Sequence, residues 1–106
     1  MGSPSPLSDD EVRSALTGLP GWGLEGAVAK EQSIVKEFTF PNFVEAIAFI
    51  NRLADRAEEA NHHPDLENHY NRVKVGLRTY SAGGITQADL ALAAEIEAAA
   101  SGPASA

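Results

Sequence analysis

At 106 residues the chain has room for one compact domain with a single core, small enough that a second copy would help bury apolar surface. Its net charge of −7, from 15 Asp and Glu against 8 Lys and Arg scattered along the chain, repels nucleic acid, so no nucleic-acid partner is expected. The absence of cysteine excludes disulfide frameworks, zinc ribbons and thiol enzymes.

The N-terminal stretch MGSPSPLSDD lacks a basic segment followed by an apolar one, and no apolar run approaches the roughly 20 residues of a membrane helix. A cytoplasmic protein without a membrane partner is expected. Residues 1–6 and 101–106 are small, polar and proline-containing, which predicts flexible ends around one domain spanning residues 7–100.

In LSDDEVRSALTGLPG, Ser8 and Glu11 have capping-box spacing, and Leu7 and Val12 sit where a hydrophobic staple packs across the first turn. A short helix is predicted from Ser8, ending near Gly18 before Pro20. After GWGLEG, the run AVAKEQSIVKEFTF carries Ile34, Val35, Phe38 and Phe40 in partial alternation, which favours a two-stranded hairpin.

Beyond Pro41, Phe43, Ile47, Ile50, Ala54 and Ala57 recur at alternating steps of four and three, which lines one face of a long helix. Next, DLENHYNRVKVGLRTY puts Val73, Val75, Leu77 and Thr79 on one side of a strand and Arg72, Lys74, Arg78 and Tyr80 on the other, with a hairpin turn near Asn71. ITQADLALAAEIEAAA repeats the opening device: Thr86 and Asp89 form the capping box, Ile85 and Leu90 the staple. The predicted class is α+β, in the order α-β-β-α-β-β-α, with a four-stranded antiparallel sheet and helices packed on one face. An exposed sheet edge in so small a domain predicts pairing with a second copy, hence a homo-oligomer.

The chemistry-bearing stretch is EEANHHPDLENHY, Glu58 to Tyr70, which places two of three histidines side by side before a proline. His62 and His63 fall just past the end of the long helix, and Pro64 drives His63 into an extended conformation. At such a corner the negative end of the helix dipole and carboxylates such as Glu58 favour imidazolium, as a general acid requires. From position alone two readings stand: solvated corner residues, or two imidazoles held for one small molecule. A metal site would need His69 as well. Without cysteine or a helical i, i+4 histidine pair, no metal is expected. Asp89 is explained by capping, with orientation of a histidine as an added role. Gly83 and Gly84 fit an ordinary turn or a close backbone approach to a flat ring. Trp22 reads as core.

The segment EEANHHPDLENHYNRVKVGLRTYSAGGITQADLALA resembles the core of the pterin-4a-carbinolamine dehydratase family. Its pattern is an acidic residue, three positions, His-His-Pro, an aromatic, a His or Trp, then Asp. Glu58, His62, His63, Pro64, Tyr70 and Asp89 fall on that register, and the similarity extends upstream through FTFPNFVEAIAFINRLA to LPGW around Trp22. The resemblance implies a helix-and-hairpin fold around four strands, in dimers or dimers of dimers. It also implies a hydro-lyase removing water from a 4a-hydroxytetrahydropterin to give quinonoid dihydropterin in tetrahydropterin recycling, with the pterin as substrate and no cofactor.

Carried over residue by residue, the resemblance makes His62 the proton donor to the leaving hydroxyl, and His63 the residue that contacts and orients the ring. Glu58, Asn61, Pro64, Thr79 and Asp89 become substrate-binding. The family's third histidine, in a Thr-His pair ending the last strand, is replaced here by Tyr80, counted as the third catalytic position. A phenol with an unperturbed pKa of about 10 hydrogen-bonds well but exchanges protons poorly at neutral pH. Leu66 stands where the family usually has an aromatic. The alternative implied by the resemblance is a non-catalytic protein-binding module, since some relatives are transcriptional dimerisation cofactors and others Rubisco assembly factors.

Overall fold

In the computed structural model, residues 6–26 and 32–101 are described. The elements run α1 (Asp9–Leu16), β1 (Gly23–Glu25), β2 (Ser33–Thr39), α2 (Phe43–Ala60), β3 (Asp65–His69), β4 (Arg72–Leu77) and α3 (Gln87–Ala100), with a short 3-10 turn at Tyr80–Ala82 before α3. The four strands form one antiparallel sheet in the order β1-β2-β4-β3, so the expected α+β architecture holds. The expected flexible ends fall largely on residues 1–5 and 102–106, which lie outside the described residues.

Both predicted capping boxes form. Ser8 accepts from the Glu11 N–H at 3.1 Å while Glu11 accepts from the Ser8 N–H at 2.9 Å. Thr86 caps α3 through the Ala88 N–H at 3.2 Å, and Asp89 accepts from the Thr86 N–H at 2.9 Å. The second hairpin turns at Tyr70 and Asn71, as its spacing predicts, with Tyr70 in the left-handed region at φ 54. Val73, Val75, Leu77 and Thr79 all point inward.

Two expectations are corrected. The first hairpin does not lie wholly within residues 27–40: its first strand is Gly23–Glu25, paired through Gly23↔Val35 and Glu25↔Ser33, and residues 27–31 lie outside the described residues. Glycine weakened the strand signal there, and pairing to β2 overrides it. The buried stripe of α2 is Ala46, Phe49, Leu53 and Ala57, whereas Phe43 is 47% exposed and Ala54 is exposed. The helix is apolar around more than one face, so periodicity alone allowed two stripes. Phe49 decides between them by packing on Phe38 and Phe40, with ring centroids 5.0 and 4.9 Å apart.

Trp22 is buried as expected, edge-on to Phe38 at 6.1 Å, and its indole N–H donates to Glu97 at 2.9 Å. Glu97 also receives Lys36, whose ammonium donates to the Pro20 carbonyl at 3.0 Å. This knot ties α3 to β2 and to the segment just before β1. Arg52 to the Ala99 carbonyl (2.8 Å) and Arg56 to Glu95 (2.7 Å) tie α3 to α2. As the residue number rises along α2 it falls along α3, so the two helices run antiparallel. The C-terminal end of α2 therefore meets the N-terminal end of α3.

Candidate functional site

The site forms where those two helix ends meet the sheet. α2 terminates because Asn61 adopts a left-handed conformation, φ 50, a role that asparagine tolerates better than most residues. The His62 N–H closes the helix by donating to the Ala57 carbonyl at 3.1 Å. Pro64 then holds the chain extended into β3. The two histidines consequently leave the helix in different directions and find different partners.

His62 turns inward. Its Nε2 lies 2.5 Å from Asp89 Oδ1, and the Asp89 side chain is 0% exposed. Asp89 Oδ2 accepts from the Thr79 hydroxyl and from the Thr86 N–H, both at 2.9 Å, and the Thr79 and Thr86 hydroxyls meet at 2.8 Å. An ionised carboxylate only accepts, so His62 Nε2 carries a proton toward Asp89 and Nδ1 is the nitrogen that can exchange a proton with a ligand. One carboxylate thus caps α3 and fixes the tautomer and orientation of the imidazole.

His63 turns outward. Its Nε2 lies 2.6 Å from Glu58 Oε2, with 58% and 76% of the two side chains exposed. By the same reasoning its Nδ1 is left for a ligand, but on a ring held by one solvated contact. Residues 61–65 and 78–81 wall an open cleft of about 420 Å³ between them. On its far wall the Tyr80 hydroxyl donates to Asp65 Oδ2 at 3.1 Å, and the Arg78 guanidinium stacks on the Tyr80 ring at 4.5 Å from the centroid. The hydrogen bond to Asp65, reinforced by its negative charge, pushes the Tyr80 phenol above its ordinary pKa, against a smaller opposing effect of Arg78. The shift moves Tyr80 further from proton exchange at neutral pH.

Of the residues singled out from the sequence, Asn61, His62, His63, Pro64, Thr79 and Tyr80 border this one cleft, Glu58 reaches it through His63, and Asp89 lies beneath it through His62. The Thr79 hydroxyl is engaged by Asp89 and Thr86 rather than presented to the cleft. Asp65, Arg78 and Thr86 were missed as site residues. The first two could have been suspected from flanking Pro64 and Tyr80, while Thr86 needed the contact between hydroxyls seven residues apart. The third histidine, His69, sits on β3 against Glu67 at 3.6 Å. Among the described residues, no group of three or more His, Cys, Asp or Glu side chains is placed to hold a metal ion, and no helix is long and apolar enough to cross a membrane.

Two carboxylate-oriented imidazoles beside an open cleft, on a four-stranded α+β scaffold, make a candidate acid–base site. The profile of the family described as pterin 4 alpha carbinolamine dehydratase matches residues 5–99, and the chain belongs to that family. A relative from Nostoc sp. strain PCC 7120, bearing the name pterin-4-alpha-carbinolamine dehydratase as a provisional assignment, is 52% identical over 90 residues, covering 85% of this chain and 91% of its own. Another from Thermomicrobium roseum, named in the same way, is 47% identical with the same coverage. Among solved structures, a transcriptional coactivator/pterin dehydratase from Brucella melitensis superposes with a TM-score of 0.82 at 35% identity, covering 91% of this chain and 99% of that one. A pterin dehydratase-like protein identified as a RuBisCO assembly factor in the alpha-carboxysome gives 0.65 at 25% identity, covering 78% and 93%.

Proposed function

We propose that the chain is a hydro-lyase that removes water from a 4a-hydroxytetrahydropterin, giving the quinonoid dihydropterin. The observation that carries this reading is the buried Asp89–His62 pair, an imidazole held in one tautomer at the wall of an open cleft in a chain of this family. In the reaction the C4a–O bond breaks as the leaving hydroxyl takes a proton. The proton on N5 departs, and the N5 electron pair forms the C4a=N5 bond. His62, as the imidazolium, gives its Nδ1 proton to the hydroxyl and is left as the Nε2–H tautomer that Asp89 holds. His63 contacts the ring and, through Glu58, is oriented for the second proton transfer.

Acid–base assistance of roughly 10²–10⁴ is all that a carbinolamine needs, since it expels water readily, so the reading calls for no metal and no cofactor. Turnover should survive dialysis against chelator, and a loss restored by zinc or iron would overturn it. The working form is a homodimer or homotetramer, because the sheet has two outer strands, β1 and β3, without a neighbour on one side in the described chain. Sedimentation at micromolar concentration should show an oligomer; monomer alone would contradict this.

A second reading, a non-catalytic binding module, is favoured by one observation: Tyr80, in the place of the family's third histidine, has its proton held by Asp65. The likeness to a RuBisCO assembly factor points the same way. Dehydration of a 4a-hydroxytetrahydropterin separates the two. A rate above buffer supports the enzyme. No rate in the folded wild type, with a rate gained in Tyr80→His, supports the module.

A further inference from the structure

Tyr80 is held by two side chains that the imidazoles do not use. It is 65% exposed, so burial does not fix its ring. Arg78 covers one ring face, and Asp65 receives the hydroxyl. Asp65 is itself anchored, following Pro64 as the first residue of β3 and pairing with Gly76 of β4. A phenol has one proton and two lone pairs, and an ionised carboxylate can only accept. With the proton committed to Asp65, the oxygen has lone pairs left to offer the cleft.

We propose that Asp65 is a positioning residue that makes Tyr80 a fixed hydrogen-bond acceptor for an N–H group of the bound ring. Tyr80 then recognises the ligand and does not exchange protons with it. The inference rests on the pterin reading of the cleft, because a tetrahydropterin presents ring N–H and amino donors along its edge. The raised pKa of the phenol agrees with this arrangement, since an acceptor that keeps its own proton at neutral pH must be hard to ionise.

Two measurements test the proposal, the first without any ligand. The chain has only two tyrosines, so in a Tyr70→Phe background the ultraviolet absorbance of phenolate reports Tyr80 alone. Asp65→Ala should bring its titration midpoint down toward about 10. An unchanged midpoint overturns the Asp65–Tyr80 coupling.

The second is binding of 7,8-dihydrobiopterin, followed by fluorescence. Tyr80→Phe and Asp65→Ala should each weaken it roughly 3- to 10-fold, the scale of one hydrogen bond. The double variant should be little worse than either single one, because both remove the same contact. Glu67→Ala, on the same strand, should bind as the wild type does. Wild-type affinity in both single variants overturns the acceptor role while leaving the pterin reading intact. A folded wild type that binds no pterin, with the phenol shift present, overturns both.

Discussion

The chain uses one capping device twice, and the two copies do different work. Ser8–Glu11 at the start of α1 and Thr86–Asp89 at the start of α3 share the spacing of hydroxyl residue, two positions, acid. The first is solvent-exposed and closes on itself. The second is buried, and its carboxylate continues past the helix to Thr79 and to His62, 27 residues earlier in the chain. A local motif becomes part of a site when tertiary packing removes its carboxylate from water and brings other donors to it, because a buried acceptor must find partners there.

The largest effect should come from breaking the buried copy. Asp89→Ala leaves the His62 ring Nε2–H, the Thr79 hydroxyl and the Thr86 backbone N–H without their acceptor. Denaturant unfolding should show a loss of about 2–4 kcal/mol, the scale of more than one unsatisfied buried donor. A loss under about 1 kcal/mol would mean that water reaches the site and replaces the carboxylate. Asp89→Asn sharpens the comparison, because an amide offers one acceptor oxygen where two oxygens now accept from three donors. Stability should fall less than in Asp89→Ala, but dehydration should slow by about 10-fold or more, since the His62 tautomer is no longer dictated. Equal rates in wild type and Asp89→Asn would remove the orienting role.

How much of this was visible in the sequence follows the same division. Caps, the inward face of β4 and the corner position of His62 and His63 depend on neighbours within a few residues, and periodicity and spacing exposed them. The α2 stripe was misassigned because Phe43 and Phe49 are equally apolar, and only the aromatic contacts of Phe49 with Phe38 and Phe40 choose between them. The short strand Gly23–Glu25 owes its existence to β2, not to its own residues. In the site, capping was legible for Asp89. Its burial was not, because that depends on two helices running antiparallel and on strand β4 delivering Thr79.

Of intermediate size is the contrast between the histidine partners. Glu58 is 76% exposed, so Glu58→Ala should change stability by less than about 0.5 kcal/mol. It should slow dehydration only a few-fold, and less as salt is added, since salt screens an exposed contact. A loss as large as that of Asp89→Ala would show that the two pairs are not ranked by burial.

The smallest effects on activity belong to the exposed capping box. Ser8→Ala should cost about 1 kcal/mol and leave activity untouched. Glu11 is held below its ordinary value of 4.5, first by the Ser8 backbone N–H and then by its hydroxyl. Since its folded-state pKa lies below the unfolded one, the stabilisation is present above about 4.5 and is lost as the pH falls through the folded value. Acid unfolding of Glu11→Gln should lack that component. An unaltered acid profile would place the dependence elsewhere.

The most direct measurement for the central claim is stopped-flow dehydration of a freshly generated 4a-hydroxytetrahydropterin at neutral pH, comparing buffer, wild type and His62→Ala. If the buried Asp89–His62 pair is the acid of a working dehydratase, the wild type exceeds buffer and His62→Ala loses about 10²-fold or most of that excess while remaining folded. A folded wild type no faster than buffer, or a His62→Ala variant as fast as the wild type, would contradict it.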